Sequence, residues 1–186
     1  METVETSRLL LRRPRRGDAK AIFERYGSDA EVTRYLGWPR HESLKDTRRF
    51  LDFSDEQWET WPAGPYLIWS RADQRLLGST GLGFEAADRA VTGYVLARDS
   101  WGQGFATEAL TVMVELASQL EVRRLYALCH RDHRASLHVL EKCGFQNEGL
   151  HRQNTGFPNL GVRAPAEVFV FARALSSRSP TQVPEQ

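Results

Sequence analysis

Two rhythms of apolar and polar positions run along this chain. In the first half, short apolar runs are broken by turn residues. The run SRLLLRR (7–13) stops at Pro14 and predicts a strand. Tyr66 to Ser70, Leu76 to Phe84 and Val91 to Ala97 predict three more, with Ala72, Asp73 and Gln74 turning the chain between the first two. Their quick succession predicts an antiparallel meander. Between residues 14 and 65 the period is helical. Asp18 opens a pattern through Ala21, Ile22, Phe23 and Tyr26 to Gly27, and a short helix is predicted from Asp29 to Leu36, stopped by Gly37 and Pro39. Ser43 then caps a third helix whose apolar positions Leu44, Phe50, Leu51 and Trp58 continue to Trp61 and Pro62.

The second half changes rhythm. From Gly104 to Leu120, Ala106, Leu110, Met113, Ala117 and Leu120 recur at spacings of 4, 3, 4 and 3 against polar Glu108, Thr111, Glu115 and Ser118, an amphipathic helix. Leu125 to Cys129 reads as a buried strand. Asp132 is placed to cap a short helix through Leu137, Val139 and Leu140, ended by Gly144 as a left-handed C′ residue, with Phe145 starting the next strand. A Gly-, Asn- and Pro-containing loop (Asn154 to Pro165) precedes a last strand, Val168 to Ala172. The polar stretch Ser176 to Gln186, with two prolines, is expected to be a disordered tail. The order of elements implies an α+β architecture with mixed strand pairing, as one domain over 1–175.

Composition narrows the function classes. With 186 residues and 41% apolar content, one core is expected, held without disulfide or structural metal. Lys plus Arg (25) against Asp plus Glu (24) leaves +1, too balanced for a protein that grips nucleic acid or anionic lipid by bulk charge. Arg8, Arg12, Arg13, Arg15 and Arg16 make a basic stretch able to touch nucleic acid or a ribosome, but the near-zero balance favours a solvated edge. Cys129 and Cys143 form no CxxC pair, so a reducing cytoplasm fits better than a disulfide framework. No stretch approaches the roughly 18 apolar residues of a membrane span. His130, His133 and His138 straddle a strand-to-helix junction without a carboxylate partner, so no metal site is expected.

The segment Trp101 to Ala109 (WGQGFATEA) carries the chemistry. Two glycines at the mouth of a helix aim free backbone N–H groups outward at the positive end of the helix dipole, an anion site suited to phosphate or pyrophosphate. A dinucleotide fingerprint starting at Gly102 would require its last Gly or Ala where Thr107 stands, and a P-loop would require a Gly-Lys-Ser/Thr that is absent.

Taken together, Gly93-Tyr94-Val95-Leu96, WGQGFATEA and RASLHVLEKCGF (134–145) resemble the GNAT superfamily of acyl-CoA N-acyltransferases, specifically its RimJ/RimL-like branch, which acetylates protein N-termini. The likeness runs from SRLLLRRP to the VFVFA strand. It implies a mixed, mostly antiparallel central sheet flanked by helices. Gln103, Gly104, Ala106 and Thr107 would hold the CoA pyrophosphate through backbone N–H groups, and the strand ending at Val95 and Leu96 would pair with the pantetheine arm. Trp101 fills a slot that the superfamily usually gives to Gln or Arg. His133 stands where an Asn commonly bonds the pantetheine.

Acyl transfer from a thioester requires a neutral amine, a polarised carbonyl, an oxyanion donor and a proton for the departing thiolate. The resemblance implies that an N–H near Val95 or Leu96 serves the carbonyl oxygen and that Ser136 is the acid toward sulfur. Related enzymes often carry a glutamate on the strand leading into the glycine turn, but Val91-Thr92-Gly93-Tyr94 has none. Glu85 is the nearest carboxylate by topology. Glu108 suits the helix dipole better than catalysis, and Tyr94 is expected to pack against a neighbouring strand rather than donate a proton. Trp58, Trp61 and Trp69 are expected in the core rather than in an acceptor cleft.

The expected activity is therefore transfer of an acetyl group from acetyl-CoA to a primary amine. An α-amine with a pKa of about 8 is roughly a quarter neutral at pH 7.5, whereas a lysine amine near 10.4 is neutral only about one part in 800. The missing strand carboxylate therefore favours a peptide N-terminus as acceptor. Two other readings share the same motifs: a small-molecule or antibiotic amine acetyltransferase, and an acyl-CoA-binding module without catalysis.

Overall fold

The computed structural model describes residues 1–175, so the expected tail from 176 to 186 lies outside the described residues. Among the described residues eight strands, β1 (Thr3–Glu5), β2 (Leu9–Arg12), β3 (Pro65–Ser70), β4 (Leu76–Ala86), β5 (Arg89–Leu96), β6 (Arg124–Cys129), β7 (Gln146–Gln153) and β8 (Ala166–Ala174), form one sheet in the order β1-β2-β3-β4-β5-β6-β8-β7. Every pairing is antiparallel except β5 with β6. A parallel pair cannot be closed by a tight turn; the connection here is helical.

Four α-helices cover the sheet: α1 (Ala19–Ile22), α2 (Leu44–Thr60), α3 (Phe105–Gln119) and α4 (Arg134–Lys142). The helix expected from Asp18 to Gly27 is three pieces: a 3-10 turn (Arg16–Asp18), α1, and a π turn (Phe23–Gly27). The Asp18 carboxylate is taken by Arg12 at 2.7 and 2.8 Å and by the Arg15 N–H at 2.7 Å. At the other end a Cβ on Gly27 would lie 2.7 Å from His41 Nδ1. The second short helix, Asp29 to Leu36, is instead a run of turns. Thr33 N–H reaches Asp29 O at 3.0 Å, but Arg34 and Leu36 bond only three residues back, and Asn159 Nδ2 fixes these turns from outside through the carbonyls of Thr33 (2.7 Å) and Trp38 (3.0 Å).

The other helices follow their caps. Ser43 is extended (φ −150°, ψ 163°) ahead of α2, and Asp46 accepts its N–H at 3.0 Å. At α4 the N-cap is His133 rather than Asp132, which stands one residue too early. Gly144 takes φ +76° just past α4, where an L side chain would be strained. The final strands are longer than their apolar runs because backbone pairing extends beyond the buried positions. β1 has only three residues and no buried side chain, too little pattern to read in advance.

Both faces of the sheet are covered. On one, Leu110, Met113 and Ala117 of α3 are fully buried with Leu9, Leu11 and Leu77; on the other, Ile22, Tyr26 and Leu51 pack with Leu67 and Leu76. Trp58, Trp61 and Trp69 belong to this packing. Trp58 meets Tyr66 edge-on at 5.1 Å and donates to the Pro65 carbonyl at 2.9 Å, Trp61 stacks on Phe84 at 5.3 Å, and Trp69 lies under Arg12 at 4.8 Å. The basic N-terminal stretch is spent on ion pairs: Arg12 with Asp18, Arg13 with Glu2 and Asp55, and Arg16 with Asp52.

Candidate active site

The site begins where the sheet divides. β5 and β6 pair only at Arg89–Arg124, Ala90–Leu125 and Val91–Tyr126, then part. Each strand is held by its outer neighbour beyond that point, β5 by β4 up to Leu96–Gly78 and β6 by β8 up to Cys129–Phe169. The wedge between them is therefore supported on both sides. Hydrogen bonding alternates along a strand. Ala97 N–H donates to Leu77 O at 2.8 Å, which places Val95 in the ladder to β4 and turns the N–H groups of Tyr94 and Leu96 into the wedge. Of the two amides expected to serve a carbonyl oxygen, Leu96 faces the gap and Val95 does not.

A cleft of about 1070 Å³ opens along this wedge, lined by Tyr94 and Val95 of β5, Cys129 and His130 after the splay, and His133 and Ser136 of the α4 start. Its outer wall comes from the 35–42 loop and one side of α2 between Asp46 and Gln57. At its floor the hydroxyls of Tyr94 and Ser136 lie 2.9 Å apart. Ser136 thus pairs across the cleft instead of bonding back to a carbonyl one turn earlier. Tyr94, expected to pack on a strand, points its hydroxyl at a residue 42 positions away in sequence. No local pattern signals that meeting. Burial holds the Tyr94 phenol well above its ordinary range despite the Ser136 bond, so Tyr94 keeps its proton.

The imidazoles behave oppositely. Burial lowers the pKa of His130 and of His133, and His130 adds to the shift at His133, so both are neutral at pH 7. The His133 ring lies 4.8 Å from Tyr35 and the His130 ring 5.0 Å from it, with Phe157 edge-on to His130 at 4.6 Å. His138 is exposed on α4 and does not join them. Burial pushes the Cys129 thiol up to about 11, which leaves it a packing residue rather than a nucleophile.

The glycine turn lies beyond the cleft lining, at the start of α3. Gly102 and Gly104 take φ +71° and +80°, and Gly104 is the N-cap of α3 with no side chain bonded to the helix end. The first intrahelical bond is Glu108 N–H to Gly104 O at 3.1 Å, so the N–H groups of Phe105, Ala106 and Thr107 have no partner within the helix. This donor set fits an anion such as the diphosphate of a coenzyme. Trp101 joins turn and cleft: its Nε1 donates to Leu96 O at 2.8 Å while the ring remains 44% exposed. Glu108, expected to serve the helix dipole, binds outward instead, accepting Thr6 Oγ1 at 2.5 Å and Arg8 Nε at 2.6 Å.

Glu85 is not brought into the cleft. It stands near the far end of β4, six residues and roughly 20 Å of strand from Ser79, the partner of Val95. There it pairs with Arg89 Nε at 2.7 Å and accepts the Tyr126 hydroxyl. Among the described residues, the carboxylates lining the cleft are Glu42 and Asp46, and Asp46 is engaged by the Ser43 N–H and hydroxyl at the head of α2.

Comparison with known proteins gives this geometry a family. The model of the acetyltransferase (GNAT) domain matches residues 8–146. The uncharacterized N-acetyltransferase YoaA of Bacillus subtilis is 34% identical over 153 residues, covering 81% of this chain and 86% of that relative. Among solved structures, RimL, a ribosomal L7/L12 α-N-protein acetyltransferase in complex with coenzyme A, superposes with a TM-score of 0.79 at 22% identity over 94% of this chain and 98% of its own. Spermidine N-acetyltransferase from Vibrio cholerae, in complex with CoA and spermine, gives 0.75 at 18% identity over 92% and 98%. At those identities the two structures establish the fold, while the family model and the Bacillus relative establish the kinship. The splayed parallel pair, the uncapped glycine turn and the α4 motif are those of an acetyl-CoA-dependent N-acetyltransferase, and the chain belongs to the GNAT acetyltransferase family.

Proposed function

We propose that this acetyltransferase acts on the α-amine of a peptide or protein N-terminus. The observation that carries the reading is the charge of the cleft. Arg40 and Arg49 face Glu42 and Asp46 along its wall, no carboxylate among the described residues stands beside Tyr94 and Ser136, and the two imidazoles are neutral. A polyamine with several ammonium groups would require an excess of carboxylates to offset its desolvation. A lysine would require a strong base to lose its proton at neutral pH. An α-amine requires neither.

In this reading Gln103, Gly104, Ala106 and Thr107 offer the turn's N–H groups to the pyrophosphate, and the β5 edge at Val95 and Leu96 runs beside the pantetheine arm. The amine nitrogen attacks the thioester carbonyl, whose oxygen gains charge toward the Leu96 N–H. As the C–S bond breaks, Ser136, hydrogen-bonded to Tyr94, supplies the proton to sulfur. The proton lost by the nitrogen passes to water or to the neutral imidazole of His133, and a proton from water restores the Ser136 hydroxyl. Free buried thiols at Cys129 and Cys143 fit action in a reducing cytoplasm.

The pH profile follows from the shifts. His130 and His133 titrate below 6.5, while Cys129 and Tyr94 titrate far above neutrality. The rise of kcat/KM is therefore expected to follow the acceptor's own pKa, about 8 for an α-amine. The direct test compares a peptide with a free N-terminus, an N-blocked peptide bearing lysine, and spermidine, with thiol release as readout. Preference for the first is expected. Preference for the blocked lysine peptide or for spermidine would defeat the proposal.

Glu85→Gln gives an independent check on the base. Its salt bridge and its bond to Tyr126 lie outside the cleft, and a half-exposed ion pair contributes at most about 1 kcal/mol to stability. Near-native kcat/KM on the free peptide is expected. A collapse of activity would show that Glu85 reaches the amine after all.

A further inference from the structure

The residue that shapes the glycine turn most directly comes from the other end of the chain. Arg8, just before β2, donates from Nη1 to the carbonyl of Gln103 at 2.9 Å and from Nε to Glu108 Oε2 at 2.6 Å, with Nη2 2.5 Å from the same oxygen. Its guanidinium lies 4.7 Å over the Phe105 ring. Thr6 completes the hold on Glu108 from the same segment. One short stretch, Thr6 to Arg8, thus grips the turn on both sides of Gly104.

The peptide bond between Gln103 and Gly104 gives this grip its consequence. In a planar trans peptide the C=O and the following N–H point in opposite directions. An arginine that captures Gln103 O therefore aims the Gly104 N–H away from itself, to the side opposite the guanidinium. The second effect is electrostatic. Glu108 lies in the first turn of α3, where its carboxylate would cap the free N–H groups or repel an anion approaching them. Burial would raise the Glu108 pKa, but the Thr6 and Arg8 hydrogen bonds and the Arg8 charge outweigh it and keep the carboxylate ionised. Its negative charge is matched by the adjacent guanidinium, and its oxygens are turned away from the helix end.

We propose that Arg8 is the positioning residue of the diphosphate site: by holding the Gln103 carbonyl and the Glu108 carboxylate it presents the Gly104 N–H and leaves the first turn of α3 free for the phosphates of the donor. The inference rests on the reading that this turn holds CoA. It adds that the β1–β2 turn, remote in sequence from the glycine motif, sets donor affinity. A pantetheine thioester that lacks the diphosphate is indifferent to it.

Arg8→Met, checked for folding by thermal melting, is titrated with CoA by calorimetry and assayed with acetyl-CoA and with S-acetylpantetheine. CoA affinity is expected to fall at least tenfold and KM for acetyl-CoA to rise with kcat little changed, while kcat/KM for S-acetylpantetheine stays at the native value. Arg8→Lys keeps the ion pair with Glu108, and so the fold, but one ammonium cannot serve both partners at the geometry of a guanidinium. It is expected to show the same split at smaller size, which keeps the inference testable if Arg8→Met does not fold. Native CoA affinity in both variants, or equal losses with the two donors, overturns it. Gly104→Val run in parallel separates the premises. If Gly104→Val binds CoA normally the turn is not the donor site, whereas loss in Gly104→Val with native binding in the Arg8 variants removes only the role of Arg8.

Discussion

Alanine at position 136 is expected to lower kcat by about 10², the lower end of the range for general acid catalysis, because a CoA thiolate is already a fair leaving group. Acetyl-CoA affinity stays unchanged, since the Ser136 hydroxyl meets Tyr94 rather than the glycine turn. The 2.9 Å bond makes a second result follow: Tyr94→Phe also slows turnover, and the double variant loses less than the sum of the two. Single-turnover kinetics isolate the chemical step, and a donor with a more acidic leaving thiol should restore much of the lost rate. Native turnover in Ser136→Ala under those conditions would return the serine to a purely structural place in α4.

Valine at Gly104 is expected to weaken acetyl-CoA binding at least tenfold, about 1.4 kcal/mol. Two physical effects combine. The residue sits at φ +80°, where a side chain bearing a Cβ costs about 1–2 kcal/mol and a β-branched one more, so the turn relaxes away from its donor geometry. A Cβ there would sit in ordinary contact, 3.5 Å from Arg8 Nη2, so it is the γ-methyls of valine beyond it that crowd the guanidinium holding the turn. Calorimetry on a variant shown by melting to be folded is the measurement. Because Gly104 is exposed and α3 is anchored by Leu110 and Met113, loss of binding is expected without loss of the fold. A folded Gly104→Val with native affinity would remove the turn from the site.

The sequence carried a large part of this molecule because the signals concerned are local. The spacing of Leu110, Met113 and Ala117 marks α3 wherever the rest of the chain goes, and Ser43 and Gly144 end helices by their own backbone chemistry. The glycine turn was legible for the same reason, since free N–H groups at a helix start depend only on the residues that form it. Even the choice of core over cleft for Trp58, Trp61 and Trp69 followed from size and spacing. Where a distant partner intervened, the pattern misled. Residues 29–36 make one bond four residues back and then bonds three residues back, and Asn159 ties the segment down from 126 residues away, information that no window around Asp29 contains.

The sequence by itself thus determined most of the elements, their α+β order and the uncapped glycine turn, each fixed by interactions within a few residues. Only the tertiary structure decided which side chains share the cleft. It parted β5 from β6 after three pairs and turned the amide of Leu96, not that of Val95, into the gap. It brought Tyr94 onto Ser136, left Glu85 at the far end of β4, and carried Arg8 to the turn 95 residues away. These are meetings between elements that each make sense alone, and the positions at which they meet are set by how strands register and helices pack across the whole sheet. A periodic pattern states which face a residue turns inward, but it holds nothing about what waits on the other side.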